Sequence, residues 1–353
     1  MTYDYMIGWK GIMQTVVRSG RICGESTLTR ACTVIITLSS SLFTLNPVSA
    51  QSLTFVEYNV ENLFDYFDDA DKDDAEYLPD ATRRWTKKRY WKKQNSLAKA
   101  TLSCSDESIP DLVALCEVEN DVALTDLTKR SLLRNAGYEY LMTSSPDARG
   151  VDVALMYSPF SFRLIRSYGL RIETIEGMRP TRDILYACGE LRSGDTLHVF
   201  VVHAPSRHGG EKASRPFRLQ AANRLLQSVD SVRALSPNAA ILITGDFNDY
   251  HDSPALVRIS EAGLTNISKG AVGLYGVKGT YRYKGEWNCL DHILVSPYIY
   301  NKVDSVFVHS PLFLLEEDET YGGYLPRRTY KGMKYRKGYS DHLPLVARFR
   351  LTK

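Results

Sequence analysis

Ile241-Leu242-Ile243-Thr244-Gly245-Asp246-Phe247-Asn248-Asp249 runs from a largely apolar, mostly β-branched segment into a glycine and then into polar side chains. The first four residues read as a short buried strand. Gly245 lets the backbone turn sharply at its end. Asp246 and Asn248 follow, and in extended backbone residues i and i+2 point to the same side. A carboxylate and a carboxamide therefore leave the mouth of a core strand together. The first can orient or deprotonate a water; the second can donate to a phosphate oxygen. A single Gly-Asp-x-Asn is more often a strand ending in an Asx turn. Here, however, similar clusters recur at other strand ends.

The strand Leu53–Tyr58 ends in Asn59-Val60-Glu61-Asn62, again with polar side chains at i and i+2. Asp111–Cys116 delivers Glu117, and Leu197–Val202 delivers His203, followed by Ala204-Pro205-Ser206-Arg207. Asp291 opens another apolar strand, and Tyr339-Ser340-Asp341-His342-Leu343-Pro344 precedes the last one. The apolar spacing predicts helices over Arg83–Leu102, Asp121–Ala136, Pro216–Val232 and Pro254–Glu261, and a strand pair over Phe162–Thr174 and Ile184–Leu191. Strands with short connections and few long helices indicate an α+β fold rather than β-α-β alternation. Polar side chains at so many strand ends indicate one crevice lined by several loops.

The 353 residues are 44% hydrophobic and 24% charged, the balance of a globular protein with a full core. Residues 1–50 stand apart. An apolar, hydroxyl-rich run over Ala31–Leu45 follows Arg18, Arg21 and Arg30 and is broken by Asn46-Pro47, and Val48-Ser49-Ala50 forms a small-residue cleavage pattern. This predicts a secretory signal peptide cut after Ala50, with periplasmic or extracellular delivery and no stable membrane insertion after cleavage. Residues 51–353 then form a single domain, expected to be a monomer. Removing four basic and two acidic residues with the leader takes the formal charge from +3 to +1. Attraction for a polyanion must come from local patches rather than from net charge. Cys104, Cys116, Cys188 and Cys289 remain, and their spacing is not that of a zinc site.

Together the strand ends supply Asn59, Glu61, Glu117, His203, Asp246, Asn248, Asp291, Asp341 and His342. Hard oxygen donors without cysteine or His-x-x-x-His pairing favour Mg²⁺, with Mn²⁺ or Ca²⁺ as alternatives, over zinc. Metal, water-orienting carboxylate and neighbouring donors are the parts needed for attack of water on a phosphate ester. The absence of a Gly-x-Ser-x-Gly elbow and of a P-loop argues against a serine hydrolase or an NTPase. Asp69, Asp71 and Asp73 have calcium-loop spacing, but Asp74 and Asp80 stand where that loop needs Gly and Glu, so a solvated acidic loop is the better reading.

Six motifs in order, Asn59-Val60-Glu61-Asn62, the Glu117 strand, His203-Ala204-Pro205-Ser206, Gly245-Asp246-Phe247-Asn248, Leu290-Asp291-His292 and Ser340-Asp341-His342-Leu343-Pro344, resemble the endonuclease/exonuclease/phosphatase superfamily. The resemblance implies a four-layer α/β-sandwich of two packed, mainly antiparallel sheets, as in deoxyribonuclease I. It also implies roles. Glu117 would be the principal metal ligand, with Asn59, Glu61 and Asp341 nearby. Asp246 would activate the water and Asn248 would bind the phosphate. His342, held by Asp291, would polarise the phosphate, and His203 would donate to a phosphate oxygen or protonate the leaving group. Glu61 stands where some members have Asp, and Val202 and Ala204 flank His203 where many bacterial relatives have Asn and Trp.

Arg149, Ser206, Arg207, Arg327 and Arg328 are substrate-binding candidates. For Arg149 and Arg207, surface salt bridging is an equally good reading. The basic, tyrosine-rich segment Arg327–Lys337 suits a polyanion or a surface insertion. The expected activity is hydrolysis of nucleic acid. The alternatives are a phosphatase or phospholipase C-like hydrolase of sugar, inositol or sphingolipid phosphates, and a non-catalytic binding module.

Overall fold

The computed structural model describes residues 51–106 and 108–351. The leader expected over residues 1–50, with Cys23 and Cys32, lies outside them. Gln51–Leu63 (β1), Leu112–Val118 (β2), Glu139–Met142 (β3) and Asp152–Tyr157 (β4) enter a first sheet. Phe162–Leu170 (β5), Ile184–Leu191 (β6), Thr196–His203 (β7), Ala240–Asp246 (β8) and Thr265–Asn266 (β9) enter a second. Tyr281–Tyr283 (β10) and Glu286–Asn288 (β11) form a hairpin, Asp291–Val295 (β12) returns to the second sheet, and Val303–Val308 (β13) to the first. Two more hairpins, Leu315–Glu317 (β14) with Tyr324–Pro326 (β15) and Tyr330–Lys331 (β16) with Lys334–Tyr335 (β17), precede the final strand, Leu345–Leu351 (β18). The helices are Lys87–Leu102 (α1), Asp121–Thr125 (α2), Glu211–Leu235 (α3), Pro254–Glu261 (α4) and Pro297–Tyr300 (α5).

The sheet orders are β13-β18-β1-β2-β4-β3 and β5-β6-β7-β8-β12-β9. Among the described strands only β1/β2 and β7/β8 pair in parallel, so both sheets are mainly antiparallel. Along β8, Leu242 packs into the core shared with the first sheet, while Ile241 and Ile243 pack with Leu225 and Val229 of α3 and Leu256 and Ile259 of α4. Both faces of the strand are covered, which is why its sequence is apolar without a break. Leu97 and Ala98 of α1 pack onto the first sheet. The result is helix, sheet, sheet, helix: the expected four-layer α/β-sandwich. Each fully buried Leu or Ile contributes about 1.5–3 kcal/mol. A one-residue slip of β8 would turn every one of its side chains to the wrong face, Asp246 included.

Several boundaries differ from the sequence expectation. The helix expected from Asp121 to Ala136 ends as α2 at Thr125 and continues as a single π-type turn, Asp126–Arg130. Leu127 and Leu132 are five apart, a spacing that a 3.6-residue helix cannot keep on one face. The structure leaves Leu132 exposed and Leu133 buried. Helix α1 begins at Lys87 rather than Arg83, because Arg84 adopts a left-handed φ of 49°. Helix α3 starts at Glu211, with Pro216 inside it. Strand β5 stops at Leu170 rather than Thr174. All four cysteines among the described residues are free.

Candidate active site

The phase that buries Leu242 and Thr244 between the sheets also aims Asp246 there. On β7, Val199 and Val201 set the same phase for His203, and on β12, Ile293 and Val295 set it for Asp291. The C-terminal ends of β1, β2, β7 and β8 thus bring Asn59, Glu117, His203 and Asp246 to one edge of the sandwich. Gly245 is required for this convergence. Its φ is 133°, and an added Cβ would lie 1.8 Å from the carbonyl oxygen of Val202 on β7. Glu61, Asn62, Glu117 and Asn248 all have φ between 50° and 69°, a left-handed conformation that costs non-glycine residues and gathers at functional sites.

Asp246, Asp291 and His342 form the centre, all buried, with ligand-capable atoms within 4.8 Å of one another. His342 Nδ1 lies 2.7 Å from Asp291 Oδ2, which also accepts the Thr280 hydroxyl. Asn59 Nδ2 donates to Asp246 Oδ2 at 3.0 Å, and the Asn248 backbone N–H donates to Asp246 Oδ1 at 2.8 Å. His203 Nε2 stands 3.8 Å from Asp246 Oδ2 and 4.0 Å from Glu117 Oε1. Glu117 in turn accepts the Asn62 N–H at 2.9 Å and meets Arg149 Nη2 at 3.3 Å.

The charges are poised for acid–base work. Burial, then repulsion from Asp291, lifts the Asp246 carboxyl to about 7. Burial alone would keep His342 neutral, but the bonded Asp291 carboxylate outweighs it and holds the imidazole well above its ordinary value. His203 goes the other way: burial, reinforced by Arg182 and Arg149, holds it well below. The site therefore offers a cationic histidine, a neutral histidine and a carboxyl near the neutral range.

Other expected residues divide. Glu61 turns its carboxylate onto the backbone N–H groups of Thr329 at 2.6 Å and Tyr330 at 3.5 Å, with Arg328 Nε at 3.5 Å. Burial, then repulsion from Asp341, lifts Glu61 to about 7 against the pull of Lys93 and Arg328. Asp341 Oδ2 meets Arg328 Nη2 at 2.9 Å. This pair of carboxylates is thus engaged by the chain's own cations and amides. Asn248 Nδ2 donates to Ala204 O at 3.1 Å. Arg207 bonds Asn248 O and Asp249 and lies over the Tyr250 ring, a structural setting. Ser206 is exposed and accepts the His208 N–H. Arg327 is exposed, and its backbone bonds Leu314 and Tyr339. His198 and His292 face the helix side of the second sheet, bonded to Tyr186 and to Asn266 and Asp249, and His309 meets Ser103.

Two groups at the site, Glu57 and Tyr281, escaped the sequence reading, and a third, Lys93, reads in the sequence as one of the basic residues of an expected surface helix. Glu57 is fully buried, with both carboxyl oxygens unpartnered among the described residues, and burial followed by repulsion from Asp291 and Asp246 holds it well above the carboxylate range. Its signal was a lone acid inside an apolar strand, two residues before Asn59. Buried Lys93 donates to Thr329 Oγ1 at 2.6 Å, on the side of a helix whose other lysines are solvated. Tyr281 bridges His342 through the backbone and packs its ring, tilted by 37°, against the imidazole at 5.0 Å between centroids.

The donor set suits a hard divalent cation. Glu57, Glu117, Asp246 and Asp291 gather carboxyl oxygens at the sheet ends, and among the described residues the Asp291 Oδ1 atom is buried without a partner and no cysteine joins the cluster of ligand-capable atoms. Carboxylate and carbonyl oxygens are the ligands that suit Mg²⁺ and Mn²⁺. Glu117 and Asn59, beside Asp246, have the oxygens to hold it.

Comparison with known proteins agrees with this geometry. The profile of the Endonuclease/Exonuclease/phosphatase family matches residues 54–351. A search of curated proteins finds no match. Among solved structures, an endonuclease/exonuclease/phosphatase family protein from Bacteroides thetaiotaomicron superposes with a TM-score of 0.59 at 17% identity, over 84% of this chain and 97% of that one. A mannosyl-6-phosphatase from the same organism gives 0.56 at 17% identity, over 84% and 98%. The human Nocturnin catalytic domain with bound sulfate gives 0.53 at 18% identity, over 84% and 94%. With the profile spanning nearly all the described residues, and with acids and histidines meeting at the ends of two packed sheets, the chain belongs to the endonuclease/exonuclease/phosphatase family.

Proposed function

We propose that the chain is a divalent-metal-dependent phosphodiesterase that hydrolyses nucleic acid by attack of water on phosphate. The observation that carries this reading is the buried Asp246–Asp291–His342 centre flanked on two sides by guanidinium groups, Arg149 beside Glu117 and Arg328 beside Asp341. Both arginines are partly exposed, at 45% and 35% of their side chains, so they can meet phosphates on either side of a reacting one.

In this reading Asp246 orients the attacking water and accepts its proton, with Asn59 fixing the carboxylate. His342, protonated and held through Nδ1 by Asp291, donates from Nε2 to a non-bridging phosphate oxygen and stabilises charge as it develops. His203, neutral, donates to a phosphate oxygen or to the leaving group. Asn248 offers its amide to phosphate on release from Ala204. A bound divalent cation, Mg²⁺ or one of its substitutes Mn²⁺ and Ca²⁺, supplies Lewis-acid stabilisation of the phosphate's negative charge. The leader expected over residues 1–50 supports a periplasmic or extracellular site of action.

A second reading, a phosphatase acting on a sugar phosphate, is favoured by the likeness to the mannosyl-6-phosphatase structure. Incubating the purified protein and Mg²⁺ with a labelled oligonucleotide, and separately with mannose 6-phosphate, separates the two. Shortening of the oligonucleotide is the expected result. Phosphate release from the sugar with the oligonucleotide intact would replace the first reading by the second.

A further inference from the structure

We propose that the N-terminal part of α1 and the β16–β17 hairpin form one cationic track that binds the flanking strand of a nucleic acid outside the catalytic centre. The proposal rests on the nuclease reading above. The two elements are joined: Arg83 donates to Gly332 O at 3.2 Å and lies over the Tyr330 ring, and Arg89 lies over the Tyr335 ring at 4.4 Å. Arg84, Lys87 and Lys88 are exposed in the chain that enters α1, and Lys331, Lys334 and Lys337 are exposed in and just after the hairpin. Arg83 and Arg336 have acidic partners in Glu76 and Glu316, whereas none of these six forms an ion pair among the described residues. The hairpin is tied to the catalytic edge, since the Thr329 and Tyr330 N–H groups bond Glu61, and Arg328 meets Asp341 beside His342. A strand leaving the site past Arg328 would meet this face next.

Stability does not explain these cations. Lys87 and Lys88 open α1, whose first turn has no acidic residue, so two positive charges face the positive end of the helix dipole. Arg84 and Lys337 have left-handed φ values of 49° and 60°, where Gly or Asn would sit at lower cost. Sequence choices that oppose local rules mark function. The face suits a polyanion rather than a lipid surface: from Arg83 to Asn95 and from Arg327 to Tyr339, Met333 is the only exposed large apolar side chain. Interfacial binding calls for a broad apolar face as well as charge.

The test measures binding without turnover. A fluorescent single-stranded oligonucleotide is titrated with the protein in chelator at several salt concentrations, and anionic vesicles are titrated in parallel. The wild type, a Lys87→Glu/Lys88→Glu variant and a Lys331→Glu/Lys334→Glu variant are compared, with thermal melts as the folding control. Each lost phosphate contact lowers the slope of log affinity against log salt by about 0.7. Each variant should therefore lose about 1.4 in slope and bind at least about tenfold more weakly. The helix variant should melt no lower than the wild type. Unchanged affinity and slope in both variants, no oligonucleotide binding by the wild type, or charge-dependent binding to vesicles alone would overturn the proposal. Track-dependent binding of an oligonucleotide that is never cleaved with Mg²⁺ would instead refute the nuclease reading and leave the track standing. Cleavage with mutation-insensitive binding would do the reverse.

Discussion

At Gly245 the close approach of β7 and a φ of 133° leave no room for a side chain. Gly245→Ala must either push β7 and β8 apart or abandon the turn that delivers Asp246. Strain of this kind costs about 1–3 kcal/mol before any steric overlap is counted. We expect the variant to lose at least about 2 kcal/mol in urea unfolding, with activity falling further than stability because His203 and Asp246 ride on the two strands. A variant as stable and active as the wild type would show that the approach is not tight. Residues of this kind were legible in the sequence. Asp246 at the end of one apolar strand, His203 at the end of another and Asp291 at the start of a third follow from period-two alternation, whereas Asn248, beyond β8 with a φ of 50°, does not. The role of Glu61 was not legible. Its partners, Thr329, Tyr330 and Arg328, lie more than 260 residues away, and no local pattern announces a contact at that separation.

Among the elements, the β16–β17 segment changes most between sequence and structure. The sequence shows a basic, tyrosine-rich connection. The structure shows a short hairpin in which Tyr330 packs at a tilt against Trp85 and Tyr335, and whose base is held by the carboxylate of Glu61. Strands of two residues carry no alternation to detect. Likewise α2 gave way to a π-type turn because its leucine spacing mixes steps of three and five. Glu61→Ala in metal-free protein should free the loop: amide exchange at Thr329 and Tyr330 should accelerate, and trypsin should cut sooner at Lys331 and Lys334. Exchange and cleavage that match the wild type would mean that Glu61 does not anchor the hairpin.

Across the whole molecule, crowded carboxyls link stability to pH. Asp246 and Glu61 are lifted to about 7 and Glu119 to about 8, in each case first by burial. Between pH 6.5 and 8 the folded protein thus holds protons that the unfolded chain has already released. Stability conferred below that window is lost as pH rises through it. His342, raised in the folded state, adds in the same direction, while His203, held well below its ordinary value, opposes it at the lower edge of the window. The melting temperature in chelator should fall across this window, by about 2–4 °C for each kcal/mol lost. Mg²⁺ should restore more of it at pH 8 than at pH 6.5, since the ion binds the ionised carboxylates. A melting temperature that rises with pH in chelator would contradict the charge distribution described here. The two-sheet sandwich itself was legible from strand-rich patterning and six ordered motifs. Which substrate enters its edge was not, because that depends on surfaces assembled from distant segments. The most direct measurement is nicking of supercoiled plasmid by the purified protein with Mg²⁺, with chelator, and with a His342→Ala variant beside it. Nicking that needs the metal and falls by about 10²-fold or more in the variant is the predicted result. Plasmid left supercoiled under all three conditions, or nicking that persists unchanged in the variant, would contradict the account.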